Sequence, residues 1–168
     1  MIKKILRSEI TGFYYHTVSN EKLPHIQHLY SFNNVNQFIN HLKYLREIFN
    51  IVSFEELNNY VYKNIKLPNN SAFITFDDGF VEWHSIIAPI LLEYGIPCTF
   101  FISSDTIDNK NLLWRHKVSL CINELTKINI HSNKIKNISQ LLDKKIESFQ
   151  ELENSLKKIK FRDRTKID

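Results

Sequence analysis

The sequence predicts an α/β fold built on a parallel sheet. Residues 71–76 and 96–103 form two apolar runs with the composition of buried strands, and residues 80–94 between them carry apolar side chains at helical spacing. A strand, a helix and a strand within about 30 residues make a βαβ unit, whose strands are parallel. No strand pattern follows residue 108, so the predicted sheet is unfinished and has an open edge.

Composition favours one domain and excludes several classes of partner. The 168 residues are 43% hydrophobic and carry a net charge of +4 without a basic cluster, so we expect no nucleic-acid partner. No stretch approaches the ~18 apolar residues of a membrane span, and residues 1–10 lack the apolar region of a signal peptide. We therefore predict a cytoplasmic protein. Cys98 and Cys121 lack metal-ligand spacing, which indicates reduced thiols.

The first elements are a strand and a helix. Residues 12–18 are aromatic and β-branched, which predicts a strand closing on His16. Residues 35–50 carry apolar side chains at helical spacing, which predicts a helix. The polar stretch between them contains His25 and His28, and Pro24 makes a surface loop the favoured interpretation over a metal-binding pair.

A second helix begins with a capping signal. Ser53 precedes Glu56 by three residues, as in a capping box, after two strand-like residues at 51–52. This predicts a short helix that ends at about Tyr62.

The C-terminal part of the chain is predicted to be helical. Residues 111–125 read as an amphipathic helix, and the tail has apolar residues at steps of three and four. The tail set is Ile138, Leu142, Ile146, Phe149, Leu152, Leu156 and Ile159.

The helix predicted at 80–94, between the two apolar runs, contains Pro89, which predicts a kink. It is followed by Gly95, which predicts the end of the helix.

Two adjacent carboxylates end the 71–76 strand. Asp77 and Asp78 lie at its carboxyl end, where parallel α/β folds place their chemistry, and Gly79 allows a sharp turn. Because successive side chains of a strand point to opposite faces, the two carboxylates are expected to point in different directions. One can then bind a metal while the other contacts a water or the substrate. The structural alternative is that Asp78 is the N-cap of the following helix.

These residues carry a family resemblance. Residues 75–79 read Thr-Phe-Asp-Asp-Gly, and Gly95 to Phe101 read Gly-Ile-Pro-Cys-Thr-Phe-Phe. With Tyr15-His16 of the first strand, they resemble the polysaccharide deacetylases, the enzymes of the NodB-homology domain. The resemblance extends from Gly12 to about residue 103.

The resemblance implies a distorted (β/α) barrel, incomplete here, that removes N-acetyl groups from a polysaccharide or amino sugar. It implies that Asp77 is the general base and that Asp78 is a ligand of a divalent metal. Zn²⁺ is the expected ion, since a carboxylate with two imidazoles and an open position suits it. These roles agree with the needs of amide hydrolysis. A metal acts as a Lewis acid that polarises the amide carbonyl, and a carboxylate accepts a proton from the attacking water.

The sequence departs from the family at the histidine ligands. Such enzymes take two further metal ligands from a later His-Ser/Thr-x-x-His motif, and the closest stretch here, at His131, has Ile135 in place of the second histidine. We interpret that stretch as a coincidence. His41, His84 and His116 fall in helical patterns and are interpreted as surface or packing residues, whereas His16 shares the rim of Asp77 and is a candidate for a substrate or second-shell role.

These observations predict residues 1–110 as the N-terminal part of a deacetylase-like domain and residues 111–168 as a helical insertion or lid. The predicted function is metal-dependent carbohydrate N-deacetylation. The alternative is an inactive truncated remnant or a carbohydrate-binding module of the same fold. An in-frame His-Ser/Thr-x-x-His segment encoded after Asp168 would favour the enzyme, and a stop codon there would favour the remnant.

Overall fold

A computed structural model describes residues 10–127, 132–160 and 164. These residues fall into two compact units. The sheet unit comprises Phe32–Ser104 and the described part of Met1–Glu21, and the helical unit comprises Lys22–Ser31 and the described part of Asp105–Asp168. Within the described ranges, no helix is long and apolar enough to cross a membrane.

The sheet of the sheet unit is parallel throughout, as predicted. Its strands are β1 (Ile10–Tyr15), β2 (Asn50–Ile51), β3 (Ser71–Asp77) and β4 (Thr99–Phe101). Strand β3 is central: β1 pairs along one of its edges, from Ile10↔Ser71 to Tyr15↔Phe76. On the other edge β2 pairs with the start of β3, and β4 pairs with its end through Asp77↔Phe101. The carboxyl ends of β1, β3 and β4 therefore lie side by side.

The two faces of the sheet have different environments. On one face, residues of β1, β3 and β4 join the hydrophobic core of the unit: Phe13, Tyr15, Ile74, Phe76 and Phe100. The core is completed by helical residues, among them Phe38, Leu42, Trp83 and Ile87. The other face carries the alternate residues, including Tyr14 and Phe101, which are 74% and 52% exposed. Within the sheet unit, the core-forming helical residues therefore pack on the first of these faces.

The sheet unit begins its first two helices with capping boxes. Helix α1 (Val35–Ile48) is capped by Asn34, and helix α2 (Phe54–Lys63) by Ser53, whose hydroxyl accepts the Glu56 N–H as predicted. Asn64 ends α2 in the left-handed conformation with φ 55°. The bounds of both helices agree closely with the sequence pattern, because side chains within a few residues determine the caps.

The third helical segment differs from the continuous helix that was predicted. A π-helical turn (Trp83–Ile87) precedes helix α3 (Ala88–Glu93). Pro89 has no N–H to donate to the carbonyl of Ser85, so the regular α-helical bond is lost there. The Ala88 N–H instead bonds to the Trp83 carbonyl, five residues earlier. The interruption therefore takes the form of a widened turn immediately before Pro89.

The helical unit consists of α4 (Trp114–Lys127), α5 (Ser132–Leu141) and α6 (Phe149–Lys157). Its core contains Val118 and Ile122 of α4 together with residues predicted from the tail pattern, among them Leu142, Ile146, Leu152, Leu156 and Ile159. Leu23 and Ile26, in the loop after β1, are buried. The predicted surface loop is thus partly buried, because these two side chains pack inward. Whether the helical unit acts as a lid stays a prediction.

Candidate active site

The two adjacent carboxylates lie where the sequence places them. Asp77 is the last residue of β3, Asp78 follows it, and both are half-buried. Tyr15 is paired with Phe76, so His16, directly after β1, and Asp77, the end of β3, lie at the ends of neighbouring strands. Side chains alternate along a strand, so Asp77 belongs to the face opposite the core residues Ile74 and Phe76. The candidate site is therefore the carboxyl rim of β1, β3 and β4.

The turn after β3 holds Asp78 in an unusual backbone conformation. Its φ is 86° and that of Gly79 is 83°, a region that side chains with a Cβ rarely adopt. The Asp78 N–H donates to the Phe101 carbonyl at 3.1 Å, which extends the pairing with β4 into the turn. Non-glycine residues at such φ values are enriched at functional sites, where the surrounding structure maintains them.

Asp78 is not the N-cap of the following helix. The helical segment begins at Trp83, with Glu82 in the N-cap position. Asp78 lies four residues before Glu82, in the turn itself. The structural alternative for Asp78 is therefore wrong, because residues 79–81 intervene between the strand and the helix.

His16 is held at the rim through its backbone. The indole Nε1–H of Trp83 donates to the His16 carbonyl at 2.7 Å. The imidazole ring of His16 lies 6.1 Å from the ring of Tyr14, measured between centroids. This hydrogen bond links the end of β1 to the helical turn that follows Asp77 and Asp78, so the three candidate residues share one supporting framework.

An aromatic layer supports the rim from the core side. Tyr15 stacks on Phe76 with a centroid distance of 5.2 Å, and Trp83 packs on Phe100 at 4.8 Å. The Tyr15 hydroxyl hydrogen-bonds to His41 Nδ1 at 2.8 Å. Burial raises the pKa of Tyr15 to about 12, so its hydroxyl is neutral at physiological pH. His41 is thus a packing histidine, as interpreted from its place in a helix.

Three polar side chains that sequence reasoning missed have buried oxygens in the sheet unit. Thr17 Oγ1, Glu82 Oε2 and Thr99 Oγ1 have no hydrogen-bond partner among the described residues. Thr17 follows His16 and Glu82 precedes Trp83, so two of them flank the hydrogen bond between these residues. Buried polar groups are nearly always paired, and exceptions often mark a functional site or an ordered water. No signal in the sequence distinguishes Glu82 from a surface glutamate at the start of a helix.

The other histidines do not gather at the rim. His84 is exposed, and His25 packs edge-on against His116 in the helical unit at 5.9 Å. His131 lies outside the described residues, and Ile135 is buried in the core of the helical unit. Among residues 10–127, 132–160 and 164, no three His, Cys, Asp or Glu side chains are grouped so that they could hold a metal ion. The described donors do not meet the three-ligand requirement of catalytic zinc, so no chemical step is assigned here to a metal.

Comparisons with known proteins agree with the motif. A family model described as polysaccharide deacetylase matches residues 64–164. A solved de-N-acetylase from Aggregatibacter actinomycetemcomitans is 25% identical, with a TM-score of 0.52 over 62% of this chain and 42% of that chain. No curated protein matches the sequence.

Two further solved structures show the same fold. IcaB from Ammonifex degensii is 23% identical, with a TM-score of 0.53 over 70% of this chain and 50% of that chain. The Streptococcus pyogenes deacetylase PplD, solved in complex with acetate, is 19% identical, with a TM-score of 0.51 over 67% of this chain and 51% of that chain. The chain thus spans about half the length of the solved structures it matches. Because the family model covers more than half of its residues, the chain belongs to the polysaccharide deacetylase family.

Proposed function

We propose that this chain supplies the base and one carboxylate ligand of a carbohydrate de-N-acetylase, a hydrolase acting on carbon–nitrogen bonds other than peptide bonds. The observation that carries the proposal is the rim itself. Asp77 and Asp78 end the central strand beside His16, within a chain of the deacetylase family. The substrate would be an N-acetylated polysaccharide or amino sugar.

Asp77 is suited to act as the general base. It is half-buried at the carboxyl end of β3, and a water and an acetamido group would approach it at the rim. It would accept a proton from water as the water oxygen bonds to the acetyl carbon. Cleavage of the carbon–nitrogen bond then releases acetate, and the proton held by Asp77 becomes available to the leaving amine. Proton transfer of this kind typically contributes 10²–10⁴-fold, roughly, to a rate.

Asp78 is proposed as a ligand of a divalent metal, with Zn²⁺ as the expected ion. Its positive φ turns the backbone sharply at the rim. Three protein ligands are needed for catalytic zinc, and the family takes two of them from a His-Ser/Thr-x-x-His motif. Since Asp78 alone is assigned here, we expect the 168-residue chain by itself to bind zinc weakly and to release no measurable acetate. Micromolar zinc binding measured by calorimetry, with acetate release that Asp77→Asn abolishes, would contradict this expectation.

A second candidate function follows from the same ligand count. A protein that keeps the rim and the sheet face but lacks a complete metal set could bind an N-acetylated carbohydrate without hydrolysing it. The observation in its favour is that the described residues contain no group of three metal donors. This candidate shares the substrate class with the first and differs from it only in turnover.

The decisive experiment uses the protein as its gene encodes it, including any segment translated after Asp168. Acetate release from N-acetylglucosamine oligomers is measured with added zinc, and oligomer binding is measured in parallel by calorimetry. The variants are Asp77→Asn and, as a matched control, Asp105→Asn, whose side chain is exposed. Release that disappears only in Asp77→Asn supports the enzyme. Binding without release supports the binding module, and absence of both overturns the two candidates.

A further inference from the structure

The indole of Trp83 contacts the ends of three strands of the sheet. Its Nε1–H donates to the carbonyl of His16, directly after β1, at 2.7 Å. Its ring centroid lies 6.4 Å from that of Phe76 on β3 and 4.8 Å from that of Phe100 on β4. Phe76 is paired with Phe100 and directly precedes Asp77. One side chain therefore supports the three strand ends that form the rim.

The backbone and the ring of Trp83 are both held in place. Its N–H donates to the Phe80 carbonyl at 3.0 Å, and its carbonyl accepts the Ala88 N–H that closes the π-helical turn. The side chain is 7% exposed and belongs to the hydrophobic core of the sheet unit. Its ring contacts lie on the core side of the sheet, opposite the face of Asp77. The indole is therefore a fixed donor beneath the rim.

The side chain of His16 lies on the other side of the sheet from the indole. The pairing of β1 with β3 ends one residue before His16, and the His16 ring lies 6.1 Å from the ring of Tyr14, two residues earlier. Tyr14 is paired with Thr75, which shares a face with Asp77 because the two are separated by one residue on β3. The imidazole thus belongs to the face of Asp77, while the His16 carbonyl is bonded from the core side.

We propose that Trp83 is a positioning residue for His16. By holding the His16 carbonyl, the indole sets the place of the imidazole relative to the Asp77 carboxylate. The inference rests on the proposed function, in which the acetamido group meets the rim of Asp77 and His16. Displacement of a group by roughly 1 Å can lower a rate by about 10²-fold, so a fixed support beneath the rim affects turnover directly.

The test removes the indole N–H and keeps the bicyclic ring. In 3-benzothienylalanine a sulfur replaces the N–H, so this analogue at position 83 retains the packing and lacks the donor. In the protein as its gene encodes it, kcat for acetate release from N-acetylglucosamine oligomers should fall about tenfold to a hundredfold, with KM changed less than about twofold. The matched control is the same analogue at Trp114, which packs in the helical unit and should leave kcat unchanged.

The variant His16→Ala distinguishes positioning from a purely structural role. It keeps the carbonyl and lacks the imidazole. In this background the analogue at position 83 should still lower the melting temperature, by about 2–4 °C, but should no longer change kcat. An equal fold-loss of kcat in both backgrounds would overturn the inference, because Trp83 would then not act through His16.

NMR of the 168-residue chain gives a measurement that needs no activity. The imidazole ¹H–¹³C signals of His16 should shift with the analogue at position 83 and stay unchanged with the analogue at position 114. Shifted signals without acetate release by the encoded protein remove the enzyme and keep the inference. Unchanged signals overturn the inference. Acetate release that depends on Asp77 but not on the N–H of Trp83 also overturns it and keeps the enzyme.

Discussion

The loop of the helical unit and the region around the His16–Trp83 bond of the sheet unit differ in how particular polar side chains are bonded. In the helical unit the Ser119 hydroxyl donates to the Pro24 carbonyl at 2.7 Å, and the Gln27 amide donates to Asn123 Oδ1 at 2.8 Å. In the sheet unit, Thr17 Oγ1 and Glu82 Oε2 are buried without a hydrogen-bond partner among the described residues. The named pairs of the helical unit join its loop to α4, whereas the two oxygens of the sheet unit are enclosed without such a bond among the described residues.

Two aspartates with positive φ have different surroundings. Asp143 of the helical unit has φ 52° close after helix α5, where a left-handed residue commonly ends a helix. Asp78 of the sheet unit has φ 86° in a turn between a strand and a helix. The former conformation is explained by local helix termination. The latter lies in the turn directly after the central strand and away from any helix end, where a positive φ in a non-glycine residue is uncommon.

The largest expected effect concerns the two aspartates, whose proposed roles differ. In the protein as encoded, Asp77→Asn should lower acetate release by about 10²–10⁴-fold, because the base is lost, while zinc affinity stays the same. Asp78→Asn should instead weaken zinc binding. The measurements are a rate assay and zinc calorimetry on both variants, with the melting temperature as a check on folding. Equal loss of zinc by both variants would contradict the separate roles.

The next effect tests the core of the helical unit. Leu152→Ala removes a fully buried side chain of α6 and should lower the free energy of unfolding by about 2–5 kcal/mol. Leu141→Ala, at an exposed position of α5, is the matched control and should change it by less than about 0.5 kcal/mol. Urea unfolding followed by circular dichroism measures both. Equal destabilisation by the two substitutions would mean that the described core is wrong.

A smaller effect is expected from the polar pairs of the helical unit. Ser119→Ala removes the 2.7 Å bond from a buried hydroxyl to the Pro24 carbonyl and should destabilise by about 0.5–1.5 kcal/mol. Ser85→Ala removes an exposed hydroxyl that bonds to the Val81 carbonyl, so it serves as the control with a smaller loss. If Ser119→Ala is as stable as Ser85→Ala, the loop is not held by this bond.

The smallest effect is the capping box of α2. Hydrogen bonds from the Ser53 backbone and hydroxyl hold the pKa of Glu56 below its ordinary value of 4.5. A carboxyl group with a lowered pKa stabilises the fold above its unfolded pKa, and this contribution is lost as pH falls through the folded value. Ser53→Ala should destabilise by about 1 kcal/mol at pH 7 and by less below pH 4.

The variant Glu56→Gln distinguishes the contribution of the Glu56 charge to stability from the contribution of the capping hydrogen bonds. Glutamine can also complete a capping box, so this variant should keep most of the stability and lose the pH dependence contributed by Glu56. Unfolding curves at several pH values between 3 and 7 measure both effects. An unchanged pH dependence in Glu56→Gln would assign it to other groups.

The parts of the fold that short-range patterns determine were predictable. Helix α1 and the tail residues Leu152 and Leu156 follow apolar spacing, and the α2 cap depends on two residues three apart. The placement of Asp77 and Asp78 at the rim follows from one strand and its turn. These features need no knowledge of distant residues, which is why the sequence was sufficient for them.

Other features depend on contacts between distant residues. Leu23 and Ile26 lie in a stretch that was predicted to be a surface loop from its Pro24 and polar residues, yet they are buried. The burial of Glu82 results from packing around Trp83 and His16, which lie 67 residues apart in the chain. The face of the sheet on which the core-forming helical residues pack is likewise a property of the assembled unit.

The π-helical turn has a consequence for how the length of this segment can vary among related chains. A π turn accommodates one residue more than an α-helical turn of the same span. Related sequences can therefore lose one residue between Trp83 and Ala88 and return to a regular helix, with the strand before it and the α3 helix after it left in place. If an alignment shows a gap of one position in this segment, the gap would indicate that the π turn has become a regular α-helical turn. The hydrogen bond from the Trp83 indole to the His16 carbonyl would be kept, because Trp83 lies at the start of the turn, before the residue that is lost.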